Sequence, residues 1–425
     1  MIAEAALEIE AIEAVEPAPG LVWRLDAPRP DERSDAFAIE LRGWIAVSGA
    51  PPLALEVEAG GDAAVRLALQ APARAEASRT PEGAERRRFS ASLGTLDLPD
   101  RFALRIAATF EGGERRLLGE IRGRQGPLLV EPSALAPVLV SGLGRSGSTW
   151  LVHLLGRHPQ LAAYRPFRQE PRVLGWWIEA LRAISSPSSQ SAMLAPQGFP
   201  DTWWLGDESR PPRLWHDEAI RALLLGDGPR RAAILARERV EAFYGAVAEL
   251  EGKRARAFVE KGPGSLDRGA WNLASKLFPT VHEVLLLRDP RDVACSTVAY
   301  TRRNPGAVLG PPGATLDGLA AWAAEEMVER LRLARERGRA ASVVRYEELV
   351  ADPARSLTPV LEALGFEPSA AIVAEMVDSA TRLATDATPL HATSSSPGDS
   401  VGRWRRELPG GGPAEVVPLI EELGY

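Results

Sequence analysis

Residues 140 to 159 read VSGLGRSGSTWLVHLLGRHP. Gly142 and Gly147 have the spacing of the GxxxxGK loop that grips nucleotide phosphates, yet Ser148 stands where its lysine would be and Arg145 lies inside the loop. A loop between a strand and a helix offers backbone N–H groups and the positive end of the helix dipole, so an anion belongs there whatever the side chains. Arg145, Ser146, Ser148 and Thr149 add charge-assisted and hydroxyl donors, and Gly147 lets the backbone approach the anion. The bland alternative, a tight turn capped by Ser and Thr, leaves the arginine without a purpose.

A second constellation lies in TVHEVLLLRDPRDVACSTVAY. Arg288 closes an apolar run, and Ser296 falls about two turns into a helix beginning near Pro290, so both face one side of a sheet edge. The competing reading is a surface ion pair of Arg288 with Asp289 or Asp292. Because arginine precedes the aspartates here, this strand end is not the acidic, Mg²⁺-holding end of ATP- and GTP-using proteins. The expected site is positive and metal-free, holding phosphates with Arg, Ser, Thr and amides alone.

The two motifs, in this order and in matching strand-loop-helix contexts, resemble the 5′-phosphosulfate loop and the 3′-phosphate motif of sulfotransferases that use 3′-phosphoadenosine 5′-phosphosulfate (PAPS). FVEKGPGSLDRGAWNLASKLFP, VVRYEELVADPARSL and SVGRWRREL resemble further segments of that family, of its bacterial and Golgi-like type. The likeness covers roughly residues 137 to 425. It implies PAPS as co-substrate, with Arg145, Ser146, Gly147, Ser148 and Thr149 on the phosphosulfate and Arg288 and Ser296 on the 3′-phosphate. Lys261 is the implied support of the leaving group or transition state, and Glu170 the implied general base. Arg403 and Trp404 are implied to close over the nucleotide. Tyr346, after the last strand, is a candidate contact to nucleotide or catalytic site, against a role in packing. Glu170 between Arg168 and Arg172 also fits a structural ion pair, and His391 is a rival base. Cys295 reads as a small buried helix residue rather than a nucleophile.

These residues need a scaffold. From Pro137 onward short apolar runs alternate with helical patterns, as in a parallel α/β sheet. PVLVSG, RAFVEKG, TVHEVLLLRDP and ASVVRYEEL are the expected strands. Leu316, Leu319, Ala320, Ala323, Met327, Leu331 and Ala334 mark one face of a long helix. Before this, alternation at Phe37, Ile39 and Leu41, at Leu53, Leu55 and Val57, at Val65, Leu67 and Leu69, and at Phe102, Leu104 and Ile106 predicts a small antiparallel sandwich. The expected organisation is an acidic tail (1–20), an all-β accessory domain (21–121), a linker (122–136) and a P-loop parallel-sheet domain with flanking helices (137–425). The sandwich carries no catalytic constellation; it is expected to bind a glycan or a partner, or to act as a spacer.

Composition narrows the function. At 425 residues, 45% hydrophobic and 25% charged, the chain is of ordinary globular type, and its net charge of −7 argues against general nucleic-acid binding. One cysteine builds neither an intrachain disulfide nor a thiolate metal site, and no apolar run has membrane-spanning length. A cytoplasmic enzyme is expected, acting on a small-molecule or glycan acceptor. Trp176, Trp177, Trp203, Trp204 and Trp215, which suit a sugar face as well as simple packing, argue against a tiny polar acceptor. The competing readings are a P-loop kinase or NTPase, disfavoured by Ser148, and a non-catalytic glycan- or partner-binding protein that retains the nucleotide fold.

Overall fold

The structure, a computed structural model, describes residues 5–15, 20–48, 52–59, 65–67, 86–164, 171–185, 219, 222–262, 266–307, 309–386, 393–394, 397–408 and 410–425. Its contacts divide the chain into two compact units.

The first unit holds Met1–Glu131, Trp177–Ala236 and Arg268–Leu277. Its strands are β1 (Leu7–Ala14), β2 (Leu21–Ala27), β3 (Arg33–Ser34), β4 (Ala38–Val47), β5 (Ala54–Ala59), β6 (Val65–Leu67), β7 (Arg86–Gly94), β8 (Arg101–Thr109) and β9 (Arg115–Gln125). They form an antiparallel six-stranded sheet, β3-β1-β9-β8-β5-β6, and a three-stranded sheet, β2-β4-β7. Alternate residues of both sheets meet in one core, with Leu7, Ile9, Val57, Leu104 and Ile106 from one and Leu41, Ile45 and Phe89 from the other. The alternation seen in the sequence at Ile39 and Leu41, at Leu55 and Val57, and at Phe102, Leu104 and Ile106 is this inward face, whereas Leu53 is exposed and Leu69 lies outside the described residues.

Strand β1 lies inside the segment expected to be an acidic tail, and β9 runs into the expected linker. The glutamates that suggested a tail stand on the solvated face of β1. There Glu8 pairs with Arg124 at 2.6 Å and Arg33 at 3.3 Å, and Glu10 with Arg101 at 3.7 Å. Residues 268–277 were expected to belong wholly to the later domain, but they group with this first unit. Lys276 donates to the carbonyls of Leu96 and Leu98 at 2.7 and 2.5 Å, and Asn272 donates to that of Asp97 at 2.9 Å. Burial lowers the Lys276 pKa to about 8, a cost that two carbonyl acceptors and the nearby Asp97 and Asp100 offset only in part.

The second unit holds Pro132–Trp176, Arg237–Asp267 and Phe278–Tyr425. Its five-stranded parallel sheet has the order β11-β12-β10-β13-β14, built from β10 (Ala136–Ser141), β11 (Leu161–Ala162), β12 (Ala257–Lys261), β13 (His282–Leu287) and β14 (Ala341–Arg345). The four long strands are those expected from their apolar runs; the two-residue edge strand β11 is too short to announce itself by period. Along the chain the helices are α1 (Ser148–Leu155), α2 (Val173–Ser185), α3 (Gly228–Leu250), α4 (Arg268–Leu277), α5 (Pro290–Arg303), α6 (Leu316–Arg337), α7 (Tyr346–Ala351), α8 (Pro353–Ala363) and α9 (Ala370–Asp386).

Strand β13 is buried on both faces, as a central parallel strand must be. Val284 and Leu286 join a core with α1, α8 and α9, while Leu285 and Leu287 join another with Ala323, Met327 and Leu331 of α6. Thr315 caps α6 by accepting from the Gly318 N–H at 3.1 Å. Because the strands are parallel, their C-terminal ends share one edge, and the Gly142 loop, Lys261, Arg288 and Tyr346 all leave the sheet there. Ligands of open α/β sheets bind at this edge.

Candidate active site

The loop after β10 is strained in a specific way. Gly142 and Gly147 have φ of 149° and 98°, and Arg145, a residue with a Cβ, also has a positive φ of 73°. A Cβ on Gly147 would stand 2.6 Å from the Tyr346 ring, so the tyrosine packs directly against the start of α1 and only glycine fits between. Backbone strain of about 1–3 kcal/mol at Arg145 is sustained because the surrounding contacts fix it. The side-chain oxygen Oγ of Ser146 is buried inside this loop without a hydrogen-bond partner among the described residues. A buried hydroxyl with hydrogen-bonding capacity to spare in such a turn suits an anion cradle.

Arg145 points away from the loop, donating from Nε to Ser296 Oγ at 3.4 Å and lying over the Tyr300 ring at 4.5 Å. Burial lowers its pKa, and the neighbouring Arg288 and Arg403 add to that effect. Several guanidinium groups are thus drawn toward one place, which favours a multiply charged anion. Arg288, 4% exposed, donates to the Arg145 carbonyl at 2.9 Å and the Ser400 carbonyl at 2.6 Å, with its plane over the Tyr346 ring at 4.5 Å. Its Nε is buried with no partner among the described residues. The surface pairing of Arg288 with Asp289 that the sequence left open does not occur. Asp289 instead pairs with Arg291 at 2.7 Å and caps α5 through the Arg291 N–H.

Ser296 also shares a hydrogen bond with Thr393 Oγ1 at 3.0 Å, and the Thr393 carbonyl accepts from Arg403 at 3.1 Å. Tyr346 bonds Ser400 Oγ at 3.0 Å, so it serves the site as well as the core. Arg291 covers the Trp404 ring at 3.7 Å. On the other side of the loop, Lys261 donates to Thr149 Oγ1 at 3.2 Å. The structure therefore brings Arg145, Ser146, Gly147, Ser148, Thr149, Lys261, Arg288, Ser296, Tyr346, Arg403 and Trp404 to one edge of the sheet. Glu170, His391, Trp203, Trp204 and Trp215 lie outside the described residues. Burial pushes the Cys295 thiol up to about 11, in keeping with a packed helix residue.

Other contributors were not visible in the sequence. Glu347 accepts from the Asp289 N–H at 3.0 Å and the Tyr425 hydroxyl at 2.9 Å, fixing the turn beside Arg288. Glu260 precedes Lys261 with its side chain on the opposite face of β12. It is buried, accepting from the N–H groups of Leu174 and Gly175, both at 2.9 Å, and from Tyr244 at 2.7 Å. It thereby holds the N-terminus of α2, three residues after Glu170 in the chain.

Desolvation outweighs these donors and raises the Glu260 pKa to about 7. A raised folded pKa stabilises the protein fully below the unfolded value of about 4.3, and that contribution disappears as pH climbs through about 7. The Glu260→Gln variant is expected to lack this slope. Chemical denaturation from pH 4.5 to 8 should show the native protein losing on the order of 3 kcal/mol relative to the variant over that window. Parallel pH profiles would contradict a shifted, buried carboxyl.

Comparison with known proteins decides the family. The model of the sulfotransferase family matches residues 137–369, more than half of the chain. The chain belongs to the sulfotransferase family. Among solved structures, this sulfotransferase is similar to the sulfotransferase domain of the curacin biosynthetic pathway, at 17% identity, TM-score 0.42, 69% of this chain and 99% of that one. It is also similar to a sulfotransferase from Alicyclobacillus acidocaldarius, at 16% identity, TM-score 0.31, 65% of this chain and 100% of that one. A mouse sulfotransferase complexed with PAP matches at 13% identity, TM-score 0.33, covering 69% of this chain and 90% of that one. Among the described residues no group of three His, Cys, Asp or Glu is placed to hold a metal, and no helix is long and apolar enough to cross a membrane.

Proposed function

We propose that this sulfotransferase takes its sulfuryl group from PAPS and passes it in line to a hydroxyl or amine, with a carboxylate as base. The observation that carries the reading is the gathering of Arg288 and Arg403 near Arg145, which donates to Ser296, beside a glycine loop whose Ser146 hydroxyl is buried with no partner among the described residues. The residues fit the donor: amides, Ser146, Ser148 and Thr149 suit its 5′ end, while Arg288, Ser296 and Arg403 suit its 3′-phosphate. When bound, PAPS supplies the sulfuryl group and leaves as 3′,5′-adenosine bisphosphate.

The protein contributes positioning and charge rather than a covalent intermediate. Lys261, fixed to the first turn of α1 through Thr149, holds a cation where the leaving phosphate oxygen gains charge. Glu170 is the assigned base. In sequence it lies three residues before the start of the helix that Glu260 anchors. The acceptor we assign is a saccharide or a glycosylated or lipid-linked envelope molecule, for which tryptophan-rich stretches offer ring faces.

Calorimetric titration without added metal tests the donor. Binding of 3′,5′-adenosine bisphosphate should be tighter than that of ADP by on the order of a hundredfold, since its 3′-phosphate, which ADP lacks, gains charge-assisted hydrogen bonds worth about 1.5–3 kcal/mol each. Preference for ATP with Mg²⁺ would return the protein to the kinase or NTPase reading.

A further inference from the structure

One buried carboxylate in the site has no part in the reading above. Asp292 lies in the first turn of α5, fully buried, four residues after Arg288 and four before Ser296. Its two oxygens accept backbone N–H groups from far along the chain: Oδ2 from Gly402 at 2.7 Å and Oδ1 from Trp404 at 2.9 Å. Residue 403 is thus clasped on both sides by a single carboxylate. Gly402 has a φ of 67°, and a Cβ there would stand 2.2 Å from an Arg405 guanidinium nitrogen, so the backbone turns sharply within the clasp.

The rest of the 397–408 segment is docked by the same elements. The Ser400 carbonyl accepts from Arg288 at 2.6 Å, and its hydroxyl donates to the Pro397 carbonyl at 2.6 Å while accepting from the Tyr346 hydroxyl at 3.0 Å. Trp404 lies under Arg291 at 3.7 Å. Arg403, between the two clasped amides, reaches the Thr393 carbonyl at 3.1 Å, and Thr393 bonds Ser296. Asp292 is therefore the link by which the helix bearing Ser296 fixes where Arg403 stands.

We infer that Asp292 is a positioning residue that sets the preference for a 3′-phosphate by clasping the backbone around Arg403. The inference rests on the donor assignment above. An aspartate is suited to the task because it accepts at both oxygens and donates at neither, whereas asparagine of the same shape turns an N–H₂ group against one of the two amides. A neutral, half-satisfied clasp lets the strap shift, and Arg403 moves with it.

Two measurements on the full chain test this. The first compares Kd for 3′,5′-adenosine bisphosphate and for ADP. The Asp292→Asn variant should weaken the bisphosphate on the order of tenfold or more while leaving ADP within about twofold. Arg403→Gln, which leaves the clasp intact, should cause a similar selective loss, and the double variant should lose little beyond either single one. The second measurement needs no ligand. Trypsin should cut Asp292→Asn after Arg403, Arg405 or Arg406 faster than the native protein, whereas Arg403→Gln should be cut after Arg405 and Arg406 at the native rate.

Unchanged bisphosphate affinity in Asp292→Asn, equal loss of both ligands, or additive losses in the double variant would each overturn the positioning role. A native protein with no preference for the bisphosphate over ADP would overturn the donor assignment and the role with it. In that case the trypsin pattern still decides whether the clasp itself exists.

Discussion

Arg288→Ala should lower affinity for 3′,5′-adenosine bisphosphate by roughly a hundredfold or more, the loss of about 3 kcal/mol expected when a buried, charge-assisted contact goes. The size follows from how the guanidinium is spent. Two nitrogens bridge the Arg145 carbonyl in the glycine loop to the Ser400 carbonyl in the strap, the plane lies on the Tyr346 ring, and Nε is buried with no partner among the described residues. Alanine removes the charge and at the same time leaves two carbonyls unsatisfied, so both walls of the pocket are released. Arg288→Lys separates the two effects. A lysine keeps the charge but lacks the planar fork needed to span both carbonyls, and it should recover only part of the affinity. Calorimetry on the two variants reads this directly. Full retention of affinity in Arg288→Ala would place the 3′-phosphate elsewhere.

Much of this site was legible because parallel sheets write their strand ends plainly. VLLLRDP and FVEKG are apolar runs that stop at a cation, and in a parallel sheet such stops fall on one edge, in keeping with the places that the family resemblance implied for Arg288 and Lys261. What could not be read is what depends on contacts between residues more than a hundred positions apart. Asp292 grips amides at 402 and 404, and Arg288 grips the 400 carbonyl; nothing in RDPRD distinguishes a clasp from a solvated helix start.

Glu260 was hidden for a related reason. In AFVEK a glutamate beside a lysine reads as a solvated pair, yet Val259 and Lys261 share one face of the strand and Glu260 takes the other, against Tyr244 and the start of α2. In the first unit the opposite error arose. Glu8 and Glu10 of β1 look like tail charge only until Arg124, Arg33 and Arg101 on neighbouring strands are seen to balance them.

Lys261→Met should leave bisphosphate affinity within about threefold and slow sulfuryl transfer by about a hundred- to a thousandfold, the usual cost of removing one preorganised group from a developing charge. The asymmetry is the point of the test. Lys261 stands at the strand end with its ammonium on Thr149 Oγ1 at 3.2 Å, at the first turn of α1, where the phosphosulfate end of the donor would meet the loop. The bisphosphate product already carries its full charge in the ground state and is held mainly through its phosphates by arginines. The cation at 261 gains most when the sulfur–oxygen bond to the leaving phosphate breaks and charge shifts onto that oxygen. Release of sulfate from labelled PAPS, to acceptor or to water, gives the rate, and calorimetry gives the affinity. A variant that loses both equally would make Lys261 a plain phosphate ligand. One that keeps its rate would remove Lys261 from the transition state.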